Sequence, residues 1–347
     1  MVIAVTGAAG MLGASVVARL VADGAEVVGV DLREPAPGGP TGGYRHLVGD
    51  VRDPAVLRVA FDCVDAVVHC AAALPSYPAA QIRSIVVDGS RAVLDAARTA
   101  GVARLVYISS TAVYGLPRQV PTPEEHPYAP VDPYSTAKAD AERLAIGYRD
   151  TGLVLPVLRP KTFLGPGRMG LFSMLFQWAQ EGRNFPVLGD GRVRIQMLHV
   201  ADLVEAVVTV LRAPAAVAND TYNIGAAEFG TLREDFQAVL DAAGHGKRVV
   251  ALPAGPARAA LGLLQRTGLS PVYGRLLHKL RDDSYVDIGR ARHRLGFTPR
   301  YSNQDAVLET FRWWQAQRAT AVSPAASGRT SRDPWRQGVL AAAKVFF

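Results

Sequence analysis

The chain has 347 residues, 49% of them hydrophobic, 7% aromatic and 20% charged. This is a globular composition with apolar side chains enough for a large core, and it excludes a disordered or collagen-like chain. Two cysteines, Cys63 and Cys70, are too few for a disulfide framework, and the absence of His or Cys at zinc-ligand spacing speaks against a metal centre. The net charge of +7 is spread along the chain, which fits an anionic small molecule better than nucleic acid, where basic residues would be interleaved with stacking aromatics. No apolar run approaches the roughly 18 residues of a transmembrane helix. Met1–Thr6 reads as strand with no basic segment ahead of it, so no secretory signal is expected and the expected location is the cytoplasm.

Short β-branched runs alternate with helical patterns through the first half. Strands are expected at Val2–Val5, Glu26–Val30, His46–Val48, Ala66–His69, Leu105–Ile108 and Val154–Leu158. Apolar recurrence at three and four residues predicts helices near 12–23, 54–62, 81–100 and 134–150. Strands apolar on both sides belong to a parallel sheet covered on both faces, so the fold class is α/β, a doubly wound Rossmann sheet over residues 1–160. After Pro160 glycine and proline interrupt the pattern, and a smaller substrate-binding lobe is expected over 161–318, with the chain crossing back to the sheet. Leu261–Leu280 is apolar and basic. Gly268 and Pro271 break the face that a membrane-surface helix would need, so a helix covering the substrate cleft is the expected role. Residues 319–347 read as a tail, mobile over the Ala-, Ser- and Pro-rich stretch and apolar at Val339–Phe347.

Directly after the first strand stands Thr6-Gly7-Ala8-Ala9-Gly10-Met11-Leu12-Gly13. Gly7 permits the tight turn, Gly10 lets backbone approach a pyrophosphate, and Gly13 lets the helix pack closely on the strand. The helix N-terminus, with Ala9, Met11 and Leu12 around it, then faces the phosphates. Asp31 ends the second strand about twenty residues on, where a carboxylate accepts both ribose hydroxyls and repels a 2′-phosphate. NAD is therefore the expected cofactor. Leu32 and Arg33 follow Asp31, and Arg33 softens the discrimination against NADP without removing it. Asp50 and Val51, after the third strand, can read the adenine edge, whereas Asp53-Pro54 suits capping of the next helix.

These features, with Gly49-Asp50-Val51, the small-residue run His69-Cys70-Ala71-Ala72-Ala73, Ile108-Ser109-Ser110-Thr111-Ala112-Val113-Tyr114-Gly115 and Tyr134-Ser135-Thr136-Ala137-Lys138, resemble the extended short-chain dehydrogenase/reductases. More narrowly, the chain is similar over residues 1–318 to the NAD-dependent epimerase/dehydratase branch that acts on nucleotide sugars. The resemblance implies Ser110, Tyr134 and Lys138 as catalytic residues. It also implies cofactor contacts from Cys70, Ala71, Ala72, Ser109, Tyr134, Lys138, Pro160 and Thr162, and a homodimer built on two long helices per subunit. The chemistry stands independently of the family. Tyr134 and Lys138 are four apart on one helix face, where an ammonium lowers a phenol toward working pH, and Ser110 at a strand end can orient the same substrate oxygen.

Several positions depart from the family pattern. Members that eliminate water usually carry Asp-Glu where this chain has Thr111-Ala112, which speaks against a dehydratase. Val86 replaces a frequent Asn, Thr162 replaces an amide that commonly contacts substrate diphosphate, and Ile195 stands where an Arg is common four residues before His199. Lys161, Arg168 and Arg194 are the candidate anion contacts, with Leu74, Ser110 and Thr111 completing the expected substrate contacts. His199 is read as structural, at the start of a helix with Asp202 in its first turn. The leading expectation is an NAD-dependent epimerase that transiently oxidises a sugar hydroxyl. The alternative is an NAD(P)-dependent dehydrogenase or ketoreductase of a non-sugar metabolite, favoured by the altered diphosphate positions and the apolar Leu74–Pro78 loop. A non-catalytic NAD sensor would have no need of Ser110, Tyr134 and Lys138 together.

Overall fold

The computed structural model describes residues 1–40, 42–167, 170, 172–253, 255 and 282–319. The segment 261–280, Arg168 and the tail from Thr320 lie outside the described residues. The first half runs β1 (Val2–Thr6), α1 (Met11–Ala22), β2 (Glu26–Asp31), β3 (Tyr44–Val48), α2 (Pro54–Ala60), β4 (Ala66–His69), α3 (Ala79–Arg83), α4 (Gly89–Thr99), β5 (Arg104–Ile108), α5 (Pro133–Gly147) and β6 (Val157–Pro160). A π turn, Ser84–Asp88, joins α3 to α4. There follow β7 (Phe163–Leu164), α6 (Phe172–Gln180), β8 (Phe185–Leu188), β9 (Leu198–His199), α7 (Val200–Arg212), α8 (Ala215–Ala218), β10 (Thr221–Ile224), α9 (Leu232–Ala242), β11 (Val249–Leu252), α10 (Gly289–Leu295) and α11 (Asn303–Ala319).

Seven strands form one parallel sheet in the order β10-β6-β5-β4-β1-β2-β3. The inner strands alternate their side chains between two cores. In β1, Ile3 and Val5 face Val16, Val17 and Leu20 of α1 and Leu203 and Val207 of α7, while Ala4 faces Leu57 of α2, Leu94 of α4 and Ala141 of α5. Burying each such Val or Leu contributes about 1.5–3 kcal/mol, which is why these strands read as unbroken apolar runs. The chain leaves β1 toward β2 and β3, then returns to β4 and continues the other way, so the direction reverses between β1 and β4. At that reversal the strand ends open a crevice, the usual ligand position in such sheets.

The sixth strand starts later than its sequence pattern predicts. Val154 makes only an isolated bridge to Arg104, the Leu155 amide donates to Asn219 Oδ1 at 2.9 Å, and Pro156 has no amide to give. The ladder begins at Val157, where β5 and β10 both pair with it. Through β10 the chain returns to the large sheet after leaving it at Pro160.

A third core gathers Phe176 and Trp178 of α6, Phe185 of β8, Phe236 and Val239 of α9, and Phe311 and Trp314 of α11. Asp235 is wholly buried beside it, and only its Oδ2 has a hydrogen-bond partner among the described residues, the Asn303 amide at 2.8 Å. Burial, helped by the charge of Glu234 and opposed by the Asn303 bond, pushes this carboxyl up to about 6. The folded chain therefore prefers the protonated acid, and stability attributable to Asp235 rises as pH falls from above 6 to below 4. Roughly two pH units at 1.36 kcal/mol each give about 3 kcal/mol. Thermal unfolding of the wild type and Asp235→Asn across pH 4–8 checks this. The difference between the two melting temperatures should move in favour of the wild type toward acid, and a difference independent of pH would refute it.

Candidate active site

The glycine loop is built by close approach. Gly7 has φ of +68°, its amide donates to Val30 O at 2.8 Å, and a Cβ there would lie 2.7 Å from Ala71 N. Residue 10 ends the turn and Met11 opens α1, whose N-terminus has neither a side-chain cap nor an acidic residue in its first turn. A twelve-residue helix with an uncapped positive end, lying behind glycines that leave no room for a side chain, fits a dinucleotide pyrophosphate. Asp31 bends back over the same loop. Its Oδ2 accepts from the Ala9 amide at 3.0 Å and its Oδ1 from the Arg33 amide at 3.1 Å, with Arg33 Nε 3.7 Å away. Leu32 is 63% exposed at the crevice edge, an apolar surface without protein cover.

Asp50 is engaged in its own loop. Arg52 Nη2 donates to its Oδ2 at 2.5 Å and Arg52 Nη1 to Ser84 Oγ at 2.9 Å, and this pairing holds the Asp50 carboxyl below its ordinary range. Val51 is buried against the start of α4. Asp53 caps α2 through the Ala55 amide, with Pro54 in the first turn. The end of β4 locks onto the end of β1. Thr6 Oγ1 and His69 Nδ1 lie 2.7 Å apart, and the Cys70 amide donates to Thr6 O at 3.1 Å. Shielding from water pushes the Cys70 thiol up to about 12, so it stays a neutral small residue, followed by the partly exposed Ala71 and exposed Ala72.

At the end of β5 two serines point differently. Ser109 is buried and donates to Glu142 Oε2, whereas Ser110 is partly open to the crevice and caps a single 3-10 turn by accepting from the Ala112 amide at 3.1 Å. Thr111 and Ala112 are buried within that turn. The helix that follows, α5, starts with Asp132 and Ser135 in a reciprocal capping box and Pro133 in the first turn. This fixes Tyr134, partly exposed, at the beginning of the helix and Lys138 one turn further in. Lys138 is 4% exposed, and its Nζ donates to Ile108 O at 3.0 Å. Burial lowers its ammonium to about 8, with Glu142 and Cys70 opposing that shift.

Among the expected anion contacts, Lys161 is buried and its Nζ donates to Ser284 O at 2.8 Å and Oγ at 3.0 Å. Arg194 lays its guanidinium over the Phe229 and Tyr285 rings at 4.8 and 5.3 Å. Leu74 is partly exposed after β4, and Pro160 closes β6 with exposed Thr162 beyond it. His199 caps α7 by accepting from the Ala201 amide and stacks on Tyr301, while Asp202 accepts from the Arg300 and Tyr301 amides. Among the described residues no group of three His, Cys, Asp or Glu could hold a metal ion, and no helix is long and apolar enough to cross a membrane. The residues that sequence reasoning missed are the buried Glu142 and Arg159 and the half-buried Tyr128, a polar cluster that reaches Ser109 through Glu142. The one signal for them is a glutamate on the same helix stripe as Lys138.

The model of the NAD dependent epimerase/dehydratase family matches residues 3–225. The chain is 34% identical over 346 residues to an uncharacterized protein, y4nG, of Sinorhizobium fredii, covering 97% of this chain and 84% of that one. It is 30% identical over 284 residues to a dTDP-glucose 4,6-dehydratase of Streptomyces niveus, covering 80% and 77%. The structure of MoeE5 in complex with UDP-glucuronic acid and NAD matches with a TM-score of 0.73 at 26% identity, covering 91% of this chain and 100% of that one. A seven-stranded parallel sheet with the glycine loop at its reversal point, and a family match spanning that sheet, agree: this chain belongs to the NAD-dependent epimerase/dehydratase family of extended short-chain enzymes.

Proposed function

We propose that the enzyme is an NAD-dependent epimerase of a nucleotide sugar. The observation that carries this reading is the buried Lys138, pinned beneath the strand end that presents Ser110 and one helical turn from Tyr134. NAD, when bound, supplies the acceptor and donor of the two electrons that leave and return to the substrate carbon. Gly7, Gly10, Gly13 and the uncapped start of α1 would hold its pyrophosphate, Asp31 its adenosine ribose and Lys138 its nicotinamide ribose. Tyr134 Oη takes the proton of the substrate hydroxyl, Ser110 Oγ orients that oxygen, and the Lys138 charge stabilises the phenolate. Returned to the same oxygen after the intermediate has turned over, the proton leaves Tyr134 as it began. Positions 111 and 112 offer no carboxylate for elimination of water, which separates this reading from a dehydratase.

A dehydrogenase or ketoreductase of a non-sugar metabolite is the second reading. The capture of Lys161 by Ser284 and the apolar Ile195 favour it, because both stand where diphosphate recognition is expected. A homodimer across α4 and α5, which lie side by side on one face of the sheet, accompanies either reading. Native mass spectrometry of freshly purified protein reads nucleotide content and subunit number in one spectrum. Near-stoichiometric NAD on a dimer, with interconversion of stereoisomers when UDP- or dTDP-sugars are supplied, is the expected result. A protein that is empty as purified, binds NAD or NADPH only on addition and leaves those sugars unchanged would transfer the assignment to the second reading.

A further inference from the structure

The chemistry above leaves one buried carboxylate unused. Glu142 lies on α5 one turn beyond Lys138 and is wholly buried. Four donor groups reach it: Ser109 Oγ, Tyr128 Oη at 2.8 Å, Arg159 Nε at 2.8 Å and Arg159 Nη2 at 2.5 Å. Arg159, in β6, is held from behind by Tyr114 Oη at 2.6 Å and Glu124 O at 2.8 Å, and Tyr114 in turn donates to Asn223 Oδ1 in β10. Three of these donors, from Tyr128 and Arg159, converge on Oε1 and Ser109 takes Oε2, so both carboxylate oxygens are held and the cluster is rigid. Its position gives it a role. Ile108 and Ser109 are consecutive at the end of β5, and each is tied to α5 by one of two residues four apart, Ile108 O to Lys138 and Ser109 Oγ to Glu142. One tie is a pivot about which a helix can turn. Two ties fix its rotation against the strand end.

We propose that Glu142 is a positioning residue that holds the helix bearing Tyr134 and Lys138 in register with the loop bearing Ser110. The proposal rests on the roles given to Tyr134 and Lys138 above. Electrostatics act in the same direction. The titratable groups facing the Lys138 ammonium are His69 and Cys70 at the end of β4, Tyr107 on β5 and Glu142 on its own helix, with Tyr134 one turn back along that helix, and Glu142 is the first of the groups that favour the ammonium. Neutralising it leaves Lys138 easier to deprotonate, and a stranded Arg159 adds to that effect.

Binding of NAD and of ADP, titrated separately across pH 6–9, tests this without any substrate. ADP carries only the half of the dinucleotide that the glycine loop and Asp31 would hold. Glu142→Gln is expected to bind ADP within about twofold of wild type and NAD about tenfold more weakly, with the alkaline loss of NAD affinity beginning at lower pH. Removing one partner of a buried ion pair can prevent folding, whereas exchanging both for apolar residues is often neutral. The double variant Glu142→Leu/Arg159→Met therefore recovers thermal stability yet keeps the NAD defect. Recovery of NAD binding in the double variant, or parallel weakening of ADP and NAD, would overturn the proposal by making the cluster purely structural. Lys138→Met separates the two levels of argument. If that variant binds NAD as wild type does, the role given to Lys138 fails, and the proposal fails with it.

Discussion

Tyr134→Phe is expected to lower turnover by about a thousandfold while leaving NAD affinity within about twofold of wild type. The change removes one oxygen and keeps the ring. The helix start survives it, because the capping bonds run between Asp132 and Ser135 and Pro133 keeps its place. General acid–base catalysis by a positioned side chain contributes roughly 10²–10⁴-fold, and no other described side chain on this face of α5 can take the hydroxyl proton at neutral pH. Lys138 is cationic there and Ser110 is far too weak a base. Lys138→Met should behave differently, losing affinity and turnover together, because the same ammonium serves cofactor and phenolate. Turnover is read as stereoisomer interconversion of a UDP- or dTDP-sugar, and affinity by titration calorimetry with NAD. A Tyr134→Phe variant that keeps turnover within about tenfold of wild type would remove the phenol from the chemistry.

The features legible in the sequence are those whose physics is local. Gly7, Gly10 and Gly13 are spaced by one turn and one helical start. Asp31 is found by counting from them, and Tyr134 and Lys138 are found by helical periodicity. All of them come to the carboxyl edge of the sheet because a parallel sheet delivers every strand end there. What stayed hidden depends on contacts across the chain. Nothing near Lys161 announces that Ser284, more than a hundred residues away, will take its ammonium. Arg52, which pairs with the Asp50 carboxylate, is itself anchored to Ser84 Oγ more than thirty residues away. Glu142 left a faint trace. With Lys138 it lies beside the small apolar stripe Ala137, Ala141 and Ala145 that packs α5 on the sheet, and a charge on an inward face needs a buried partner. The stripe shows that a partner is required. Only the fold shows that the partner is Arg159 and that Ser109 joins it.

Gly13→Ala is expected to weaken NAD binding by at least about a hundredfold and to lower stability by roughly 1–3 kcal/mol, the range for forcing a methyl into a packed site. Helix propensity predicts the opposite sign, since Ala in a helix interior is favoured over Gly by about 1 kcal/mol. Contact geometry decides. A Cβ on Gly13 would overlap Gly7 O outright and sit 2.7 Å from Gly7 C and 2.9 Å from Ala8 Cα. All three are backbone atoms of the turn and have no rotamer to escape into. Either α1 backs away from β1, taking the helix N-terminus from the pyrophosphate, or the Gly7 turn opens and loses its bonds to Val30. Gly147 provides the control within the same chain. It ends α5 at a φ of −61°, and a Cβ there meets nothing within 4 Å. Gly147→Ala should leave NAD affinity unchanged and raise stability by about 0.4–1 kcal/mol, because only the unfolded chain loses freedom. Calorimetric NAD titration and thermal melts of the two variants check both signs. Equal behaviour of the two variants would mean that Gly13 is there for flexibility alone, and close packing of α1 on the strand would then not explain the loop.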